Sequence, residues 1–185
     1  MAVLRSLRRV VGIACLLAVA VAAGSARPAP SEREVEAAFL CSFADFVEWP
    51  HADSDAPVKI LVLGEDPFGR MLEETARSRP MQTRPIEIHR SRRLEDAARF
   101  QMVYISDSER NRIPEILDGL AGRGILTVSD VADFATQGGI IGFVIENKRV
   151  RFEINDEAAQ RTGLHISSRL LNLARIVRTS PRGGG

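Results

Sequence analysis

The stretch VKILVLG (residues 58–64) decides the fold class. It is a nearly continuous apolar run, rich in β-branched residues and ending in glycine, which is typical of a strand buried on both faces. Helical segments at about 70–78 and 109–120 separate it from three further strand-like runs: PIEIH (85–89), QMVYIS (101–106) and GILTVS (124–129). Strands that alternate with helices predict a mostly parallel sheet with helices on both faces.

The pattern changes after residue 138. GGIIGFVIENKRVRFEI (138–154) reads as two strands around Glu146-Asn147-Lys148, which predicts a C-terminal antiparallel hairpin. In its second strand Val150, Phe152 and Ile154 alternate with charged residues. One face of that strand is therefore expected to contact water or to have its charges in ion pairs. The fold class is therefore predicted to be α/β, a single-domain sandwich.

A helix is predicted to begin at Ser31, because Ser31-Glu32-Arg33-Glu34 has the capping-box form. Its apolar residues fall at helical spacing, and the segment ends at Trp49-Pro50 because proline disfavours the α region in the residue before it. The sequence leaves open whether this apolar face packs on the sheet, docks a partner or belongs to a ligand site.

The end of the chain carries two further helix signals. Asn155 can cap a helix that ends before Gly163, and ISSRLLNLARIV (166–177) is predicted to form a final helix. The leucines of that helix spread around too wide an arc for one sheet face to bury. They suggest a partner-binding surface made of Leu170, Leu171, Leu173 and Val177, with Trp49 as a further interface residue. The alternative is that the chain itself or a homodimer mate covers this face.

The N-terminus predicts export. Arg5, Arg8 and Arg9 precede an apolar run of about 15 residues, too short for the ~20 that span a bilayer, and small residues follow. Residues 1–26 are thus expected to be a secretory signal peptide, 27–30 a tether, 31–178 the folded domain and 179–185 a disordered tail. The mature protein is expected in the periplasm without stable membrane insertion.

The net charge and the cysteine content limit which partners and which covalent links this protein can have. The chain has 25 Lys and Arg against 24 Asp and Glu, and residues 1–26 hold three Arg and no acid, so the mature chain carries a net charge of −2. This balance argues against a nucleic-acid partner. Cys41 is the only mature cysteine, so a disulfide within the mature subunit is excluded, and a buried thiol is preferred over an intermolecular bridge.

Catalytic signatures are missing from the sequence. His51, His89 and His165 lack metal-ligand spacing, and no motif offers an activated nucleophile. We therefore expect no enzyme, no metal and no cofactor.

One constellation suggests ligand binding at the carboxyl ends of the predicted strands, where open α/β sheets bind ligands. It consists of Gly64, Asp66, Ser106, Ser129 and Asp130. Their charge suits a cationic or amino-acid-like ligand better than an anion. The alternative is that these residues only cap the following helices.

Several stretches in order resemble the YfiR family of small periplasmic proteins. They are EREVEAAFLCSFADFVEWP, VKILVLGEDPFGRMLEE, MVYIS, GILTVSD, GGIIGFVIENKRVRFEIN and EAAQRTGLHISSRLLNLARIV, which cover nearly all of residues 32–178. The resemblance implies a non-enzymatic regulator that binds the periplasmic sensor domain of an inner-membrane GGDEF-type diguanylate cyclase. Such a regulator represses the cyclase and lowers cyclic di-GMP and biofilm formation.

The resemblance also implies dimerisation and redox control, and here the sequence departs from the family. Many relatives have a Cys-His pair where this chain has Phe100-Gln101, so we leave out a redox gate within the subunit. The other hypotheses kept open are a small-molecule sensor that acts on another membrane protein, such as a histidine kinase, and an enzyme.

Overall fold

A computed structural model describes residues 29–49, 56–80 and 84–180. The predicted signal peptide, residues 27–28 of the tether and residues 181–185 lie outside the described residues. The proposed division of the chain at these points therefore stays a prediction. Thr179 and Ser180 are described, and both bond to the domain: Thr179 Oγ1 accepts from Asn155 Nδ2 (2.9 Å), and Ser180 N donates to Thr136 O (2.9 Å).

The core of the fold is a sheet that has seven strands within the described residues. The strands are β2 (Val58–Leu63), β3 (Ile86–Ser91), β4 (Met102–Ile105), β5 (Leu126–Ser129), β6 (Ile141–Glu146), β7 (Arg149–Ile154) and β9 (Arg175–Ile176). Their order in the sheet is β3-β2-β4-β5-β6-β7-β9. Strands β2 to β6 run parallel, β7 is antiparallel to β6, and β9 is parallel to β7. The predicted α/β class and the antiparallel hairpin are confirmed.

The helices lie on both faces of the sheet, as predicted. Helices α1 (Glu32–Phe43), α2 (Met71–Arg77) and α4 (Asp156–Arg161) pack on one face, against residues that include Ile60. A 3₁₀ helix (Leu94–Arg99) and α3 (Ile113–Leu120) cover the other face, against residues that include Leu61. Alternate residues of β2 thus enter two separate hydrophobic clusters, which explains why the run at 58–64 is almost wholly apolar.

Helix α1 begins as predicted and ends early. Ser31 Oγ accepts from Glu34 N (3.2 Å) and Glu34 Oε2 accepts from Ser31 N (2.6 Å), which is the complete capping box. The predicted continuation to Trp49 is wrong. A turn follows Phe43, and then β1 (Val47–Glu48) pairs antiparallel with β8 (His165–Ile166). The pairing partner lies more than a hundred residues away, where helical spacing cannot reveal it.

Aromatic packing joins α1 to the hairpin. The ring centroid of Phe39 lies 5.1 Å from that of Phe152, and the centroid of Phe43 lies 5.9 Å from that of Phe143 and 5.4 Å from that of Phe152. Edge-to-face and offset pairs at these separations add to the free energy gained by burial. Of the three roles that the sequence left open for this face, packing on the sheet is the one that the structure shows.

The hairpin turn consists of Asn147 and Lys148, both in the left-handed region (φ 50° and 61°). Positive φ at both central residues matches the twist of the flanking strands. The alternation predicted for β7 is confirmed over its first four residues, because Val150 and Phe152 are buried while Arg149 and Arg151 are exposed. It ends at Glu153, which is buried and paired with Arg175.

Of the two helices predicted for the C-terminal segment, the structure shows the first but not the second. Asn155 Oδ1 accepts from Ala158 N (3.0 Å) at the start of α4, and Gly163 has φ +82° after its end. The predicted final helix over 166–177 is wrong: α5 spans only Ser168–Leu171, and β9 follows. The open edge of β7 accounts for the difference, since Val177 N donates to Ile154 O (2.9 Å) there. Tertiary pairing overrides helical periodicity in so short a segment.

Replacing Phe43 with alanine tests the packing of α1. Phe43 is fully buried among three other rings, so we expect a loss of about 3–5 kcal/mol in the free energy of unfolding. At about 2–4 °C per kcal/mol, calorimetry should show a clear fall in Tm. Leu173→Ala is the control, because its side chain is 68% exposed and its truncation should change stability by less than about 0.5 kcal/mol. Equal effects of the two substitutions would contradict the packing.

Candidate functional site

At the carboxyl end of β2, Gly64 packs closely against residues that follow β4. Gly64 has φ +97°, and a Cβ on it would come within 2.5 Å of Ser108 Oγ and 2.8 Å of Glu109 Cγ. Ser108 Oγ also accepts from Glu65 N (2.9 Å). The close approach that requires glycine at position 64 is therefore one between two parts of the chain.

Three other predicted ligand-binding residues hold turns. Asp66 accepts from Phe68 N (2.8 Å) and from Arg90 Nε (2.7 Å). Ser106 Oγ accepts from Ser108 N (3.4 Å). Ser129, fully buried, donates from Oγ to Ile105 O (2.7 Å) and accepts from Val131 N (3.1 Å). Only Ser106 has the helix-capping role named as the alternative, at the 3₁₀ helix Asp107–Arg112, whereas Asp66 and Ser129 hold turns. Ligand binding by these residues stays a prediction.

Asp130, directly after β5, has a different setting. Arg33 Nη1 lies 2.7 Å from Asp130 Oδ2 and 2.7 Å from Glu36 Oε2, and it donates to the Tyr104 hydroxyl at 3.4 Å. We call Arg33, Glu36, Tyr104 and Asp130 the Arg33 cluster. It joins the first turn of α1 to the carboxyl ends of β4 and β5.

Burial governs the electrostatics of the Arg33 cluster. The Glu36 side chain is 5% exposed, and burial raises its pKa even though the charge of Arg33 acts to lower it. Burial, and next the charge of Asp130, raise the pKa of Tyr104. Burial opposes the charge of Arg33, but the hydrogen bond to Asp130 and the charge of Glu36 raise its pKa overall. Arg33 thus stays charged and Tyr104 neutral, while protonation of Glu36 is shifted toward neutral pH.

A cleft of about 380 Å³ opens beside the Arg33 cluster. Five carboxylates and two guanidinium groups line it, and both guanidinium groups are in ion pairs. The excess of carboxylates favours hydrogen-bond donors and cations over anions, in line with the cationic or amino-acid-like ligand predicted from the strand ends. The charged lining residues are Glu32, Arg33, Glu36, Asp130, Asp133, Glu153 and Arg175; Phe143, Val144 and Ile145 form an apolar part of the wall.

Cys41 is not available for chemistry. Its side chain lies in the core with 1% exposure, and burial raises the pKa of its thiol to about 11. The thiol therefore stays protonated. The prediction that it is buried is confirmed, and the absence of an intermolecular bridge stays a prediction.

The described part of the chain holds no group of three or more His, Cys, Asp or Glu arranged to bind a metal ion. His51 lies outside the described residues, His89 packs edge-on against Phe100 (5.1 Å), and His165 is exposed on β8. Across 29–49, 56–80 and 84–180, no helix has the length and apolar character needed to cross a membrane.

The residues predicted to bind a partner differ in accessibility. Leu173 is 68% exposed, and Leu171 and Val177 are partly exposed. Leu170 is 3% exposed, and Trp49 is 8% exposed with its Nε1–H donated to Gln101 O (3.0 Å). Because Leu170 and Trp49 are packed in the core, they can contribute little area to the predicted partner-binding surface. Binding through the remaining residues stays a prediction.

Sequence reasoning missed three members of the Arg33 cluster, although each carried a signal. Arg33 is a cation in the first helical turn, where the helix dipole favours acids. Glu36 falls three to four residues before Phe39 and Leu40, on the side of the helix that is buried. Tyr104 is the only tyrosine, within an otherwise apolar buried strand.

The stability of the protein should reveal the raised pKa of Glu36. The native state holds this proton to higher pH than the unfolded state does, so stability is lost as pH rises through the native pKa. Between about pH 4 and 7, the free energy of unfolding of the wild type minus that of Glu36→Gln should fall in urea titrations.

Glu34→Gln serves as the control, since hydrogen bonds from Ser31 lower the pKa of Glu34. Because the pKa of Glu34 is lowered, the difference in free energy of unfolding between wild type and Glu34→Gln should rise only below about pH 5 and stay flat from there to pH 7. A flat or rising difference for Glu36→Gln would mean that the attraction of Arg33 outweighs burial.

Comparison with solved structures supports the fold. The ABC domain in complex with L-Trp from Streptococcus pneumoniae aligns with a TM-score of 0.56 at 11% identity over 76% of this chain. A conserved domain protein from Vibrio cholerae aligns with a TM-score of 0.51 at 12% identity over 79%. The chain spans 60% of the length of each, and identities this low show a shared α/β fold alone.

The family comparison is more specific. No curated protein matches the sequence. The profile of the YfiR/HmsC-like family, however, matches residues 33–175, which include the Arg33 cluster, six strands of the main sheet and the first residue of β9. This family is one of periplasmic, regulatory proteins linked to diguanylate cyclase signalling and to a membrane signalling partner. The chain belongs to the YfiR/HmsC-like family.

Proposed function

We propose that the mature chain is a non-enzymatic periplasmic regulator that binds the periplasmic sensor domain of an inner-membrane GGDEF-type diguanylate cyclase. By repressing that cyclase it lowers cyclic di-GMP and biofilm formation. The observation that carries this proposal is the family match over residues 33–175.

The C-terminal strip supports a docking role. We define this strip as Leu173, Ile176 and Val177. Leu173 and Ile176 are 68% and 53% exposed, among the most exposed large apolar side chains of the described residues. They lie on or beside β9, the edge strand of the main sheet, which is only two residues long. Exposed apolar side chains at a sheet edge are suited to contact with another protein.

Repression would work by differential affinity. A regulator shifts a two-state sensor only as far as it binds one state more tightly than the other. The protein would therefore bind best to the cyclase conformation whose cytoplasmic domain is inactive. No ligand or covalent step is required of the regulator itself.

A second candidate function is a small-molecule sensor that acts on another membrane protein, such as a histidine kinase. The acid-rich cleft beside Asp130 favours this candidate, since about 380 Å³ suits a small ligand. The two functions are compatible, because a ligand in the cleft could bias partner binding.

The direct test is capture of the partner from membranes with residues 27–185 as bait. We expect mass spectrometry to identify a GGDEF-bearing inner-membrane protein. Leu173→Asp should weaken its capture at least about tenfold, because a carboxylate would be desolvated in an apolar contact. Leu170 is unsuitable for this test, since a charge at a buried position would unfold the protein.

Ile145→Asp provides the matched control. Ile145 is also apolar and about half exposed (51%), but it lies on the hairpin rather than in the C-terminal strip. Equal loss of capture in both folded variants would show that the strip is not the contact. Failure to recover any GGDEF-bearing protein would count against the regulator, and a change from dimer to monomer in Leu173→Asp would assign the strip to self-association.

A further inference from the structure

A second cleft lies at the opposite end of the strands, beside the amino ends of β4 and β5. Its volume is about 320 Å³, and it is formed where Gln101 precedes β4 and Gly124 precedes β5. The described residues that line it include two arginines, Arg99 and Arg123, and no acid. Its charge is thus opposite in sign to that of the cleft beside Asp130.

Arg123 supplies an unbalanced positive charge to this cleft. Its Nε donates to Gly119 O (2.9 Å), and it forms no ion pair with any residue in the described part of the chain. Arg99, by contrast, pairs with Asp96 (3.0 Å). The terminal N–H groups of Arg123 are therefore available, and their planar arrangement matches two oxygens of a carboxylate or phosphate.

Two glycines beside Arg123 leave the backbone open. Gly122 and Gly124 have φ +68° and +64°, and a Cβ on Gly122 would meet no atom within 4 Å. Within the described ranges, neither N–H donates a hydrogen bond. Free amides next to a guanidinium group form a concave surface that favours anions.

Two aromatic residues form part of the remaining wall of the cleft. Trp49 and Phe100 both line it, and the indole N–H of Trp49 is used by Gln101 O (3.0 Å). Trp49 is only 8% exposed and Arg84 lies over its ring (5.9 Å to the centroid), so the partly exposed ring of Phe100 supplies most of the aromatic surface and Trp49 a small part of it. An apolar, planar group attached to the anion would find contact there.

We propose that this cleft binds a small organic anion: a phosphate or carboxylate group on Arg123 and the Gly122 and Gly124 amides, with a planar group against Trp49 and Phe100. The proposal is independent of the proposed function, because it invokes no membrane partner and uses neither the C-terminal strip nor the Arg33 cluster.

Trp49 makes the test direct, because it is the only tryptophan in the chain. Phenyl phosphate, inorganic phosphate and benzoate are titrated into the mature protein at low ionic strength while indole fluorescence is recorded. We expect a saturable change with phenyl phosphate and weaker binding of inorganic phosphate, which lacks the ring. Comparison of phenyl phosphate with benzoate tells whether phosphate or carboxylate is preferred.

Arg123→Gln should weaken binding of phenyl phosphate at least about tenfold, as expected when a charge-assisted hydrogen bond is lost. Arg92→Gln is the matched control: it removes one exposed guanidinium group, paired with Glu65, beyond the carboxyl end of β3. Its affinity should stay within about twofold of the wild type in the same titration.

Three results would overturn the proposal. One is no saturable fluorescence change with either phenyl phosphate or benzoate up to about 10 mM. Another is an affinity that Arg123→Gln leaves unchanged. The third is an equal loss in Arg123→Gln and Arg92→Gln, which would indicate only a response to net charge. Melting curves of both variants confirm that each is folded.

Discussion

The contact between α1 and the hairpin is the constraint on which the other features of this molecule depend. Phe39 and Phe43 pack against Phe143 and Phe152, and these contacts hold the helix in its position along the sheet. That position brings its first turn to the carboxyl ends of β4 and β5, where Arg33 meets Asp130. A contact between apolar rings therefore determines where a buried set of charges forms.

The two clefts lie at opposite ends of the strands, and the charged residues that line them give net charges of opposite sign. At the carboxyl edge, acids outnumber bases around the cleft, and the bases present are already paired. At the amino edge, the guanidinium group of Arg123 has no acidic partner among the described residues. A mature net charge of −2 conceals this separation, because a sum over the chain contains no positions. Only the folded structure shows at which end of the strands each charged residue lies.

Sequence reasoning recovered what depends on neighbours along the chain. The capping box at Ser31, the strands with their hairpin and the Asn155 cap are all local signals, and all are found in the structure. It failed where distant partners decide: residues 47–48 pair with 165–166, and 175–176 add to β7. The Arg33 cluster was missed for the same reason, because it joins residues about 70 and 97 positions apart.

We propose that this chain regulates a membrane cyclase by binding alone. The decisive measurement is the rate of cyclic di-GMP synthesis by the captured cyclase, reconstituted in vesicles with its periplasmic domain accessible to added protein. We expect a rate that falls saturably, at protein concentrations that match the binding curve. An unchanged rate at concentrations that saturate binding would contradict it.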